Sequence, residues 1–349
     1  IKRIMAYSTI PKSSSYFNTK LWTGNSTNST AITGVGFQPD MTWIKNRSQT
    51  DNHNLFDAIR GATYRIYPDD SSSQDQATNS LASFDSDGFT LNDGGPVNGN
   101  GENIVGWNWK ANGSGSANSD GSINSTVSVN TTSGFSIVKY TGTGSNATVG
   151  HGLGAVPKMI IVKSITGTQW WFTYHISMGN TKHITLNTTN AASGASSVYW
   201  NNTTPTSSVF SIGTDTGVNQ SGIDYVAYCF ADIQGYSKFD SYTGNGNADG
   251  PVIYTGFATA FVMIKRYDSG TLDWNMYDNK RLGYNGGDAP LFANLNNAES
   301  NDYGRIDFLS NGFKIRSSND QVNNNGGSFL YMAFGQPIVS TNGNIATAR

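Results

Sequence analysis

One thirteen-residue frame occurs three times in the chain, and this repetition limits the folds open to it more than any other feature of its 349 residues. "VNGNGENIVGWNW" spans 97–109, "VNQSGIDYVAYCF" spans 218–230 and "VNNNGGSFLYMAF" spans 322–334. Each reads Val-Asn, two variable residues, Gly, two more variable residues, then an apolar run ending on an aromatic. Other landmarks precede each copy in a fixed order. A Thr-Gly opening, "LWTGN" (21–25), "KYTGT" (139–143) and "SYTGN" (241–245), is followed by a β-rich run carrying Lys45, Lys163 or Lys265. Then come "SFDSDGFTLN" (83–92), "SVFSIGTD" (208–215) and "DFLSNGFKIR" (307–316). The frame Asn moves from 98 to 219 to 323, so a unit of roughly a hundred residues is triplicated.

Within each unit the pattern is that of strands. "MTWIK", "MIIVK" and "FVMIK" are short apolar, β-branched or aromatic runs, as are the ends of the three frames. Turn signals such as "SDG", "SNG" and "NGG" separate them. "LFDAIRGATYRIY" (55–67) alone hints at a helical turn, interrupted by Gly61. The expectation is an all-β chain of three tandem β-sandwich or jelly-roll-like repeats, six to eight strands each, packed as one rigid body around a pseudo-threefold relation. The boundaries read as an N-terminal extension 1–14, repeats 15–110, 135–233 and 234–337, and a C-terminal tail 338–349. Residues 111–134 read as a linker, flexible by composition in its first half and strand-like at "INSTVSVN" in its second.

Charged residues make up only 13% of the chain, so Asn, Ser, Thr and 40 Gly carry its solubility. With 22 basic against 24 acidic residues there is no basic stripe for nucleic acid. The single cysteine, Cys229, forbids an internal disulfide and reads as a buried thiol. No apolar stretch approaches a membrane span. The N-terminus has neither a signal-peptide core nor an initiator Met, so the numbering is expected to start inside a longer precursor or after missing upstream residues.

The combination "FNTKLWTGNST", "GVGFQPDMTWIKNRS", "LFDAIRGA", "GFSIVKYTGTGSNATVGHGLGAVPKMIIVK" and "IDFLSNGFKIRSS", from about residue 16 to the end, resembles the C-terminal repeat region of tail-fibre-like virion-surface proteins of marine and cyanobacterial tailed bacteriophages. The resemblance implies a virion-surface location after synthesis in the host bacterial cytoplasm. Other virion proteins of tail or capsid and a host cell-surface glycan or protein are the implied partners, with a homo-oligomer, such as a trimer, as the assembly. No nucleic-acid partner, membrane insertion, cofactor or metal is expected.

The candidate chemistry favours binding over catalysis. Asp57 and Arg60 in unit one, and Asp278 and Arg281 in unit three, hold one position relative to the Lys landmark, where unit two has His175 and Met178. An Asp and an Arg three apart on a turn read as a structural charge pair. Only two Glu occur, Glu102 and Glu299, in different units, and no acid/base carboxylate pair can be assigned. Four histidines without close spacing, beside one Cys, suggest no zinc site. Unit two carries the aromatic-plus-amide clusters "QWWFTYH" and "VYWNNTTP" that the other units match least. Trp170, Trp171, Tyr199, Trp200, Asn201 and Asn202 are therefore the expected ligand surface, provided that their rings are exposed in one patch. The reading is a non-enzymatic tail-fibre adhesin. The alternative is a capsid decoration or head or tail appendage, and a polysaccharide depolymerase ranks third.

Overall fold

The structure, a computed structural model, describes residues 10, 12–281, 285, 289–300 and 304–336. Residues 1–9 and 11 of the expected extension, and all of the expected tail 338–349, lie outside the described residues. The chain is nearly all β, in antiparallel sheets.

Three principal sheets share one strand order. In the first, the frame strand Asn103–Trp109 lies between Phe17–Thr23 and Met41–Asn46. In the second, Asp224–Phe230 lies between Phe135–Thr141 and Met159–Ser164. In the third, Ser328–Gly335 lies between Ser237–Thr243 and Thr259–Arg266. Beside each principal sheet is a small one, of three, two and three strands. With principal sheets of six, seven and five strands, the first and second pairs each hold nine strands, one more than the expected six to eight, and the third holds eight.

A half-buried strand alternates apolar and polar residues, yet Met41–Asn46 and Met159–Ser164 are buried at every position. Both faces of a principal sheet are covered. In the first sheet Ile44, Phe56 and Ile104 pack on Ile32, Phe89 and Leu91 of its small sheet. The opposite face turns Met41, Trp43, Trp107 and Trp109 into one cluster shared with Ile161, Trp171 and Tyr228 of the second sheet and Phe261, Trp274 and Met332 of the third. Three smaller apolar clusters, each between a principal sheet and its small sheet, thus surround a common aromatic core.

The thirteen-residue frame has a local cause. Its Val-Asn ends a four-residue helical turn, Gly95–Asn98, Thr216–Asn219 or Asp320–Asn323. Each Asn is fully buried, and its side-chain oxygen accepts the backbone N–H of Asn25, Thr143 or Asn245 in the Thr-Gly opening, at 2.8–3.0 Å. Its amide donates to Thr27 and Asn92, to Ser145 and Gly213, or to Asn247 and Ser317 carbonyls. The frame Gly residues, Gly101, Gly222 and Gly326, sit at φ of 74°, 76° and 74°, which favours residues without a Cβ. Asn98, Asn219 and Asn323 therefore occupy equivalent elements.

Two expectations are refined. The helical hint in "LFDAIRGATYRIY" is a single turn, closed by Gly61 N donating to Asp57 O, between the strands Asn54–Asp57 and Tyr64–Ile66. The turn is fixed by the Asp57 carboxylate, which accepts Arg60 N at 2.9 Å, and Gly61 leaves it at φ 97°. In the linker, Ser125–Asn130 is a strand as expected, but the first half is ordered as well. Ser116–Asn118 pairs antiparallel to it, and Asp40 accepts the N–H groups of Ala111 and Gly113.

Candidate functional site

The polar side chains that the sequence singles out converge on the seams between principal sheets. Asp57 pairs in register with Met41, His175 with Met159 and Asp278 with Phe261, so the three hold one structural position. Asp57 Oδ2 accepts Arg60 Nε at 2.6 Å and, across the seam, the Tyr228 hydroxyl at 2.7 Å. Asp278 Oδ2 accepts Arg281 Nε at 2.7 Å and Trp107 Nε1 at 3.0 Å. Both carboxylates and both guanidiniums are almost wholly buried. Arg60 donates further to Tyr64 and Leu55 carbonyls, and Arg281 to Ala289 and Met276 carbonyls and to Glu299. Burial is the largest single influence on each Arg and opposes its charge, but the partners together, Asp57 with Tyr228 and Asp278 with Glu299, raise both above their ordinary range. Burial, then the Asp57 carboxylate, pushes the Tyr228 phenol well up.

His175 completes the set differently. Burial lowers it to about 4, so it is neutral, with Nε2–H donating to the Tyr331 carbonyl at 3.2 Å and Nδ1 accepting from Ser177 N. A second ring of donors lies four residues earlier. His53, neutral through burial, accepts Trp43 Nε1 and donates Nε2–H to Phe292 O and Leu295 O of the third sheet's end. At the matching positions Trp171 donates to Tyr67 and Asp70 carbonyls beside the first sheet, and Trp274 to Thr185 O of the second.

The three landmark lysines are fully buried as well, each Nζ held by two carbonyls. Lys45 donates to Asn46 and Gln49, Lys163 to Ser71 and Gln169, and Lys265 to Thr189 and Leu272. Burial lowers them to about 8, about 7 and about 8. Buried polar groups of this kind join sheets. His53 and His175 use both ring nitrogens, and Asp57 and Asp278 each accept at both carboxylate oxygens, so all four side chains are engaged within the protein. Cys229 is buried, and burial pushes its thiol up. Among the described residues no group of three His, Cys, Asp or Glu could hold a metal ion.

The expected ligand surface does not form. Trp171 is 0% and Trp200 2% exposed. Trp171 stacks on Tyr228 in the shared core, while Trp200 packs edge-on against Tyr174 and donates Nε1 to Lys182 O. Tyr199 is half-buried against Phe172 and His183. Trp170 does face solvent, at 49%, but the two other tryptophans of the expected surface do not. Asn201 and Asn202 make a tight turn at φ 49° and 47°. The physical reason is the second buried face: Trp171, at the threshold of a strand covered on both sides, has the common core to enter.

The sequence reading missed His53 as the counterpart of Trp171 and Trp274, since what links the three is a position four residues before Asp57, His175 and Asp278, and His is unlike Trp. It also missed Tyr254, which is 61% exposed beside Val252 at 57%. The available signal was the contrast with Ala31 and Thr33, or Thr148 and Gly150, at the same places.

No curated protein and no solved structure matches the chain. A family model described as "Domain of unknown function (DUF7483)" matches residues 12–337. With a match over most of its length, the chain belongs to the DUF7483 family.

Proposed function

We propose that this chain is a bacteriophage virion-surface protein, a tail-fibre adhesin that attaches the particle to its host. Its three β-sandwich repeats, 15–110, 135–233 and 234–337, act as one rigid body with pseudo-threefold symmetry. The observation that carries this reading is the cycle of cross-seam donors: His53 reaches the third sheet, Trp171 the first and Trp274 the second. Such a body offers three similar loop ends on a stiff frame, suited to matching a symmetric virion part while presenting loops outward. The use of buried Asp, His and Lys side chains in cross-seam bonds supports binding over catalysis, so the chain acts without a cofactor and cleaves no polysaccharide. Its partners are other virion proteins and a host-surface glycan or protein, and it assembles as a homo-oligomer.

A density map of the intact particle tests the reading. Density for the fold at the tail tip, with the isolated protein competing for adsorption, supports the adhesin. Contact with the capsid lattice instead makes it a decoration protein, the second reading, which the same stiff frame also suits. Release of oligosaccharides from host polysaccharide would overturn the non-enzymatic assignment.

A further inference from the structure

The edge strands of the small sheets are equivalent but differently finished. In the second pair the chain closes over its own edge: Ile123 N donates to Thr148 O at 3.0 Å, Ser125 Oγ donates to Gly150 O, and the Ile123 side chain is buried. At the same edge of the third pair stands Val252–Tyr254, where the positions flanking buried Ile253 are the exposed Val252 and Tyr254. Beside it, the connection between the second and third principal sheets forms the other wall of a groove of about 440 Å³, within the range of small-ligand sites.

The groove carries four different kinds of contact. The Tyr254 ring rests against Gly256, whose missing Cβ would stand 3.6–3.8 Å from ring atoms, so one side is supported while the residue stays 61% exposed. Exposed Asp232 uses one carboxylate oxygen on Phe239 N. Gln234 presents an exposed amide, both donor and acceptor. Lys238 Nζ donates to Tyr254 O at 3.1 Å and lies 3.6 Å from an Asp240 carboxylate oxygen, so its ammonium is positioned at the groove by the strand itself. The corresponding places elsewhere hold Thr33 or Gly150 for Tyr254 and Asn18 or Ser136 for Lys238, so the combination occurs once in a thrice-built scaffold.

We propose that this groove is a carbohydrate subsite that takes the outer sugars of a host-surface glycan. A pyranose has an apolar C–H face that stacks on an aromatic ring, and rim hydroxyls that donate to a carboxylate and accept from an ammonium or amide. Those are the groups present, with opposite charges side by side, which favours neutral sugars over a polyanion. A docked apolar peptide strand fits less well, because exposed apolar surface here is limited to Val252 and Tyr254. The assignment rests on the adhesin reading and supplies its ligand class.

The test uses the full chain on an array of immobilised hexoses, deoxyhexoses, N-acetylhexosamines and their oligomers, with binding to host cells measured in parallel. The wild type binds both. Tyr254→Ala weakens saccharide binding about tenfold, Tyr254→Phe keeps it within about threefold, and neither shifts the melting temperature. Gln234→Ala, which leaves the ring in place, gives a smaller loss. Undiminished saccharide binding by Tyr254→Ala overturns the groove while the adhesin stands. Cell binding without saccharide binding, abolished by protease treatment of the cells, overturns the groove in favour of a protein receptor. Absence of cell binding by the wild type removes both readings.

Discussion

The seam that joins the first sheet to the second and the seam that joins the second to the third solve one problem with different chemistry. At the first, a buried Asp57 meets the Tyr228 hydroxyl; at the second, a neutral His175 meets a backbone carbonyl. The difference follows from the neighbour. Trp43, Ile161 and Met263 pair in register with Trp107, Tyr228 and Met332, so these last three are equivalent. Trp107 and Tyr228 carry a donor and are each met by a carboxylate, whereas Met332 has none. A buried carboxylate facing Met332 would lack a partner across the seam, and unpaired buried charge is among the most destabilising of defects. The absence of the Asp/Arg pair from unit two is thus matched across the seam by Met332, which has no donor to offer a buried carboxylate.

The largest effects come from removing a buried carboxylate. Asp57→Ala or Asp278→Ala strands a buried guanidinium and should cost about 3–5 kcal/mol in denaturant unfolding. His175→Ala, which strands no charge, should cost about 1–3 kcal/mol. Equal losses at all three sites would break the comparison. Next comes the donor side: Tyr228→Phe should lose about 1.5–3 kcal/mol, as for a hydrogen bond to a charged group, while Met332→Leu should stay under about 1.5 kcal/mol. A double-mutant cycle of Asp57→Ala with Tyr228→Phe should show coupling, and one of His175→Ala with Met332→Leu little.

The pH response sharpens the contrast further. His175 titrates near 4 in the fold against an ordinary value near 6.5, so on acidification the unfolded chain takes up a proton that the folded chain does not. The His175 contribution is full above pH 6.5 and is lost toward pH 4, and His175→Gln should blunt that fall in melting-temperature measurements. The lysines act over a higher window. With Lys163 at about 7 and Lys45 and Lys265 at about 8, the unfolded chain holds more protons up to about pH 10.5, so stability should rise with pH from about 7 toward 10. Smallest of all, Tyr254→Ala should change stability by less than about 0.5 kcal/mol, as an exposed substitution does.

What the sequence revealed and what it hid divide along one physical line. The frame, the Lys landmarks and the Asp/Arg turns are set by local backbone needs, such as a left-handed glycine or a carboxylate capping its own turn, and these recur at fixed spacing. The shared core is not local. In "QWWFTYH" the period of two states that Trp170 and Trp171 face opposite ways, but which of them meets solvent depends on sheets far away along the chain in either direction. An amphipathic strand and one buried on both faces differ only in what packs outside them, and Trp171 was misread for that reason. Tyr254 was overlooked through the reverse error, since an apolar residue in a strand reads as core when its edge happens to be open.

The order in which donors pass from sheet to sheet bears on how the molecule comes apart. In an ordinary tandem array each repeat touches only its sequence neighbours, so unfolding can begin at either terminus and terminal repeats need special capping. Here His53, near the beginning, is tied to Phe292 and Leu295, near the end, while Arg47 grips Glu299 at 2.6 Å. The seam between first and last sheets is made of the same kind of bonds as the seams between consecutive ones, so in the rigid body proposed above neither the first nor the last repeat has only one neighbour. Opening any one sheet must break two seams at once, a property that favours long residence in the folded state over rapid exchange with partly open ones.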